Sequence, residues 1–368
     1  MLFFKRSLML EHPENTKDQS STSCNTIQER QTMNTPLDAD TLVALVVNTA
    51  KNDTTTPDLR NPRVGWRTDE LLTKEIDALV VYGHDDPVLY ALIARRIHDA
   101  VSDLSEAAVL AKLAIFRGER IQPVGPERKS MLDGLLKELR VSVSLLPEGT
   151  RKQRCLSLLQ YHAGVFYDAY DCFAEAARAQ FDSELEALKC GDAAGAAVAG
   201  FVGEHYVLKR LLCEDPDESA RHFERLKSAF DQLLRDTNGS SFQVSWGEGN
   251  APVHMIEACT WLDKMDPDWA RWVETARRAA AKLGAAFSHG AEFVRAADLY
   301  YQNEVEAIPA LQVVAEQSAT PAWRATALLL LARRALLDGN KTEASNLVKR
   351  MPLTGAFHVV TIARRLIG

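Results

Sequence analysis

The sequence predicts an all-α protein: an α-solenoid of stacked antiparallel helix hairpins, preceded by a disordered N-terminal segment. Three observations predict it. Ala, Leu, Arg and Glu are abundant while runs of β-branched residues are scarce, a balance that favours helix over strand. Helix start and stop signals recur through the chain with short gaps between them. A small-residue and bulky-residue spacing with helical period returns near the middle and near the C-terminus.

At the N-terminus, residues Glu11 to Thr35 are rich in Ser, Thr, Gln and Asn and lack apolar periodicity, so they are expected to be disordered, with Met33 a candidate natural start. Leu42, Leu45 and Val46 share a helix face and predict one short helix over Pro36 to Ala50. Two prolines between Lys51 and Trp66, Pro57 and Pro62, mark a linker. Residues 1–66 thus form one segment.

From residue 67 the chain is expected to be almost continuously helical. Thr68-Asp69-Glu70 is a start signal, a capping hydroxyl followed by acids that suit a helix N-terminus. Asp86-Pro87, Gly125-Pro126, Asp215-Pro216, Asp266-Pro267 and Thr320-Pro321 repeat it with Pro at the first turn, where the missing N–H does no harm. Gly83, Gly118, Gly239 and Gly339 read as stops. A Gly- and Ser-rich stretch, 237–250, holds Phe242 and Trp246 and reads as a connecting loop. It separates an N-terminal helical half, 67–236, from a C-terminal half, 251–368.

The recurring spacing is clearest in Gly164-x-Phe166-x-x-Ala169-x-x-x-Phe173-x-x-Ala176. Ala291-x-Phe293-x-x-Ala296-x-x-x-Tyr300 repeats it, and Gly339-x-Lys341-x-x-Ala344-x-x-x-Val348 repeats it with aliphatic residues. A small residue lets a neighbouring helix approach, and a bulky one a turn away fills the space beside it. Leu283, Gly284 and Phe287 are expected to supply the facing helix of the second hairpin, with Gly284 as the point of close approach. Leu328, Leu331, Ala332 and Ala335 supply that of the third.

These hairpins resemble the tetratricopeptide repeat family, whose unit is a helix–turn–helix of about 34 residues. The resemblance covers about a hundred residues and implies a concave surface, lined by the first helix of each pair, that binds a peptide or partner protein. Some members of that family clamp a terminal carboxylate with Lys, Asn and Arg. The matching positions here, among them Arg154 and Arg333, lack the asparagines, so that clamp is not expected.

The charge balance narrows the partner. A formal net charge of −7 is not the footprint of a nucleic-acid binder. Basic residues do gather on predicted first helices, so Arg154, Arg277, Arg278, Lys282 and Arg333 are candidates for contacting an acidic segment of a partner. Four of the six tryptophans lie between Trp246 and Trp272. Trp246, Trp269 and Trp272 are candidate aromatic anchors, since Trp is enriched at binding hot spots.

Signals for chemistry are sparse. Six cysteines form no CxxC pair and read as reduced thiols. No phosphate-loop, hydrolase or kinase motif occurs. His254-x-x-Glu257 and Glu218-x-x-x-His222 each put an imidazole and a carboxylate on one helix face, which suits a local hydrogen bond. A metal centre would need such pairs on facing helices. No metal, cofactor or catalytic residue is expected. No apolar run reaches the roughly 18 residues of a membrane span, and a cytoplasmic adaptor or scaffold is the expected function. A regulatory sensor, holding a small ligand or peptide near the Gly-rich stretch and the tryptophans, is the runner-up, and a helical enzyme is the weaker third reading.

Overall fold

The computed structural model describes residues 124–368, apart from 241, together with a few positions between 109 and 120. The expectations for the N-terminal segment, the short helix at 36–50 and the start signals before residue 109 lie outside the described residues.

The described chain is helical, with no strand among the described residues. Twelve α-helices follow in order: α1 (Pro126–Ser144), α2 (Thr150–Ala169), α3 (Phe173–Lys189), α4 (Ala193–Glu214), α5 (Pro216–Thr237), α6 (Ala251–Leu262), α7 (Trp269–Leu283), α8 (Ser288–Tyr301), α9 (Ala307–Gln317), α10 (Pro321–Leu337), α11 (Lys341–Lys349) and α12 (Phe357–Ile367). The punctuation in the sequence sets many of their ends. Pro126, Pro216 and Pro321 open α1, α5 and α10. Asp192, Asp215 and Asn340 each accept a hydrogen bond from a backbone N–H three residues on, satisfying a donor the helix itself leaves free. Gly239 and Gly339 take the left-handed conformation just past α5 and α10.

Two local expectations change. Gly164 to Ala176 does not lie on one helix: α2 ends at Ala169, Asp171 turns left-handed, and α3 begins at Phe173. The small–bulky spacing therefore spans a turn, but Gly164 still marks a close approach. A Cβ there would lie 3.0 Å from the Ala176 carbonyl oxygen and 2.6 Å from Gln180 Nε2. Gly284 marks no such approach. It is exposed, nothing lies within 4 Å of its missing side chain, and its φ of +59° ends α7.

The predicted connecting loop is also helical. Gln243–Asn250 forms a wide π-helix that runs directly into α6. Glycine suits this segment because its inner side is crowded. A Cβ on Gly247 would lie 2.8 Å from Thr237 Oγ1, and one on Gly249 would lie 3.1 Å from the Val244 carbonyl oxygen.

Helices α2 to α5 stack as sequential neighbours. The order then departs from a simple stack. Helix α6 runs through the centre and touches α4, α5, α7, α8 and α10. All its residues but His254 and Leu262 are buried. Helix α12 turns back to lie on α4, α10 and α11. Asp171, in the α2–α3 turn, holds its start by accepting the backbone N–H groups of Gly355 at 2.7 Å and Phe357 at 3.0 Å. Arg365 holds its far end by donating to the last carbonyls of α4, those of Leu212 and Cys213. The main hydrophobic core is continuous from Ala176 to Ala363 and crosses the predicted division at 237–250. A second core gathers α1, α2 and the described residues before them.

Candidate functional site: a buried histidine–glutamate cluster

The polar centre of the molecule is built where α4 faces α6. Gly200 and Gly203 let α4 approach α3; a Cβ on Gly203 would lie 2.8 Å from the Phe181 ring. With that face spent on α3, His205 and Lys209, one turn apart, look toward α6. On α6, His254, Glu257 and Trp261 follow at one-turn intervals and form the facing stripe.

The stripes meet at Glu257. His254 Nδ1 lies 2.6 Å from Glu257 Oε2, and His205 Nε2 lies 3.6 Å from the same oxygen. The two imidazole rings are 4.4 Å apart. Donor atoms of His205, His254 and Glu257 all fall within 4.8 Å of one another. Glu257 is 2 % exposed and His205 1 %. Burial pushes the His205 imidazolium well below its ordinary pKa, helped by the charges of His254, Lys209 and His358. His205 is therefore neutral, and its Nε2 makes no hydrogen bond among the described residues.

Aromatic rings enclose the cluster. Trp261 lies 5.2 Å from His205 and donates its indole N–H to Thr326 Oγ1 at 3.0 Å. Phe201 and Trp246 flank His254 at 6.3 and 6.2 Å. Lys209 points to Asp168 instead of Glu257, 2.8 Å from Oδ1, and lies over the rings of Tyr206 and Trp261. Behind Trp261, 4.5 Å away, is His358 of α12. Burial holds it too well below its ordinary pKa, and neither ring nitrogen has a hydrogen-bond partner among the described residues.

The residues singled out in the sequence take different places in the structure. Trp246, on the π-helix, is partly buried beside His254 and belongs to the cluster's wall. Arg333 is buried and donates to the Thr260 and Trp261 carbonyls, so it fastens the C-terminal end of α6. Trp269 and Trp272, each 1 % exposed, are core residues with no surface left for an anchor. Trp269 donates to Asp298 Oδ1, and Trp272 packs on Phe223 and Phe230. Arg277, Arg278 and Lys282 are exposed on α7. Arg277 is paired with Glu274 and Lys282 with Glu248, so much of this basic stripe is neutralised locally. Arg154 is partly buried on α2.

Of the two imidazole–carboxylate pairs, His254–Glu257 forms. Glu218–His222 does not: His222 Nε2 lies 3.0 Å from Glu204 Oε2 on α4, and Glu218 pairs with Arg221. His205 escaped the sequence reading because it lies 49 positions before His254, at no motif spacing. Its one signal was an imidazole on a helix face otherwise made of Phe201, Val202, Leu208 and Leu212.

No family model, curated protein or solved structure matches this chain. No described helix is long and apolar enough to cross a membrane.

Proposed function

We propose that the protein is a ligand-responsive sensor, binding a small ligand at the His205–His254–Glu257 cluster and answering through the helices packed around it. One observation carries this reading. A carboxylate in the middle of the core faces a neutral imidazole, and no Lys or Arg among the described residues pairs with it. A buried carboxyl group is costly unless it is hydrogen-bonded and paired, and the side chains that meet Glu257 are two imidazoles, His254 at 2.6 Å and His205 at 3.6 Å. Polar groups converging inside aromatic walls are the kind of place where a ligand site is found. The π-helix supports the same reading, since such segments are frequent at functional sites. His254 provides the approach: its side chain is 25 % exposed.

Trp246 makes the reading testable. A ligand that raises the melting temperature is expected to change tryptophan fluorescence in the wild type, and both responses should vanish in His254→Gln. A broad panel of metal ions, nucleotides and organic acids that moves neither signal would rule against the site.

The adaptor reading stands second, favoured by a groove of about 260 Å³ between α9, α10 and α11. Leu331 and Leu347 line it together with Arg334, Arg350, Asp338 and Glu343, a mixture suited to a short peptide of mixed charge. If that groove is the working surface, Arg334→Glu with Arg350→Glu should abolish peptide capture while His254→Gln leaves it intact.

A further inference from the structure

We propose that the ligand of the cluster is a divalent transition-metal ion of the zinc class, held by His205 from α4 and by His254 and Glu257 from α6. This rests on the cluster being a ligand site at all. Three things on the structure point to an ion and not to an organic molecule.

The first is spacing. Around a tetrahedral ion with metal–ligand distances of about 2.0–2.2 Å, donor atoms stand about 3.4 Å apart. His205 Nε2 and Glu257 Oε2 are 3.6 Å apart, too far for a hydrogen bond and close to that separation. His254 Nδ1 is hydrogen-bonded to Glu257 at 2.6 Å and would retreat by about 0.8 Å. Its ring is the one part of the set that reaches solvent, so it has room to move.

The second is chemistry. Two imidazoles and one carboxylate make an N₂O set of borderline character, which suits zinc, iron, cobalt or nickel better than magnesium or calcium. The described thiols do not compete well. Burial drives Cys213 up to about 11 and Cys259 up to about 12, and neither joins a cluster of ligands among the described residues.

The third is charge. A divalent cation would add positive charge beside Glu257, whose side-chain partners among the described residues are His254 and His205, while Lys209 on α4 is held by Asp168. Three protein ligands leave a coordination position open, on the His254 side where the cluster meets solvent. That is the arrangement of a site that exchanges a water for a small anion, not of a closed structural zinc.

The test uses the full chain, stripped with a chelator and dialysed. Calorimetric titration with Zn(II) should give one equivalent bound, and Co(II) should develop visible ligand-field bands. His254→Gln and Glu257→Gln should each weaken Zn(II) by about 10–100-fold or more, with unchanged circular dichroism. His205→Gln should act alike; if that buried change unfolds the chain, the other two variants decide. Zn(II) binding that survives all three substitutions would overturn the assignment. If neither metal binds, but an organic ligand raises the melting temperature of the wild type and not of His254→Gln, the metal falls and the sensor reading stands. If nothing binds, both fall.

Discussion

At the scale of single residues, His205 and His358 give the protein a defined response to acid. Burial is the first cause of both depressed pKa values, with Lys209 adding to each and His254 adding to His205. A histidine neutral in the fold but ordinary in the unfolded chain binds its proton only on unfolding. Below the ordinary value near 6.5 the unfolded state therefore holds more protons, and stability falls as pH falls. Above it the two groups contribute no slope. Each adds about 1.4 kcal/mol per pH unit, so the pair gives about 2.7 kcal/mol per unit below pH 6.5. Urea unfolding in chelator at pH 7.5, 6 and 5 should show this. His358→Phe should remove about half of the slope, because His358 is seated by Trp261 and Phe173 and not by hydrogen bonds. A variant that kept the full slope would show that His358 titrates normally in the fold.

At the scale of elements, the segment Gln243–Asn250 decides how Trp246 and His254 are presented. Gly249→Ala would push a methyl to 3.1 Å from the Val244 carbonyl oxygen and to 3.4 Å from Leu283 Cδ1. Backbone cannot yield as a side chain can, so the change should cost about 1–3 kcal/mol and shift Trp246 fluorescence. Gly164→Ala should cost a similar amount, since its methyl would meet Gln180 Nε2 and the Ala176 carbonyl, and Gln180 Nε2 is already donating to the Tyr161 carbonyl. It should leave Trp246 fluorescence nearly as it was. Chemical denaturation with fluorescence separates the two cases. These glycines show what the sequence could tell. Helix type, the starts at Pro126, Pro216 and Pro321 and the stops at Gly239 and Gly339 are local properties and were legible. Gly247 and Gly249 were not, because a loop glycine and a glycine squeezed between helices look alike until the neighbour is known. The candidate site divides the same way. His254 and Glu257 stand three apart on one helix and could be paired by eye. His205 joins them only because α4 and α6 meet in space.

At the scale of the whole molecule, the return of α12 to α4 sets the limits of any motion. A chain of two helical halves about a flexible connection would unfold in two steps. The core instead runs unbroken from Ala176 to Ala363, and the would-be connection is itself packed against α5, α6 and α7. Residues 173–368 should therefore unfold as one cooperative unit, with α1 and the first part of α2 opening separately around their own smaller core. Helix α12 is the element that can test this, because few contacts tie its ends. Asp171→Ala removes the acceptor for two backbone N–H groups, of Gly355 and Phe357, and should cost about 1–3 kcal/mol. Asp171→Asn keeps one acceptor oxygen and a residue type tolerant of the left-handed backbone found there, so it should cost less. Amide exchange will read the result. If α12 is a latch on a shared core, Asp171→Ala speeds exchange first in 357–367 and then, through His358 and Trp261, in α6. If exchange rises in α12 while α6 stays as protected as in the wild type, the C-terminal helix is an appendage. The cluster at His205, His254 and Glu257 would then answer to α4 and α6 alone.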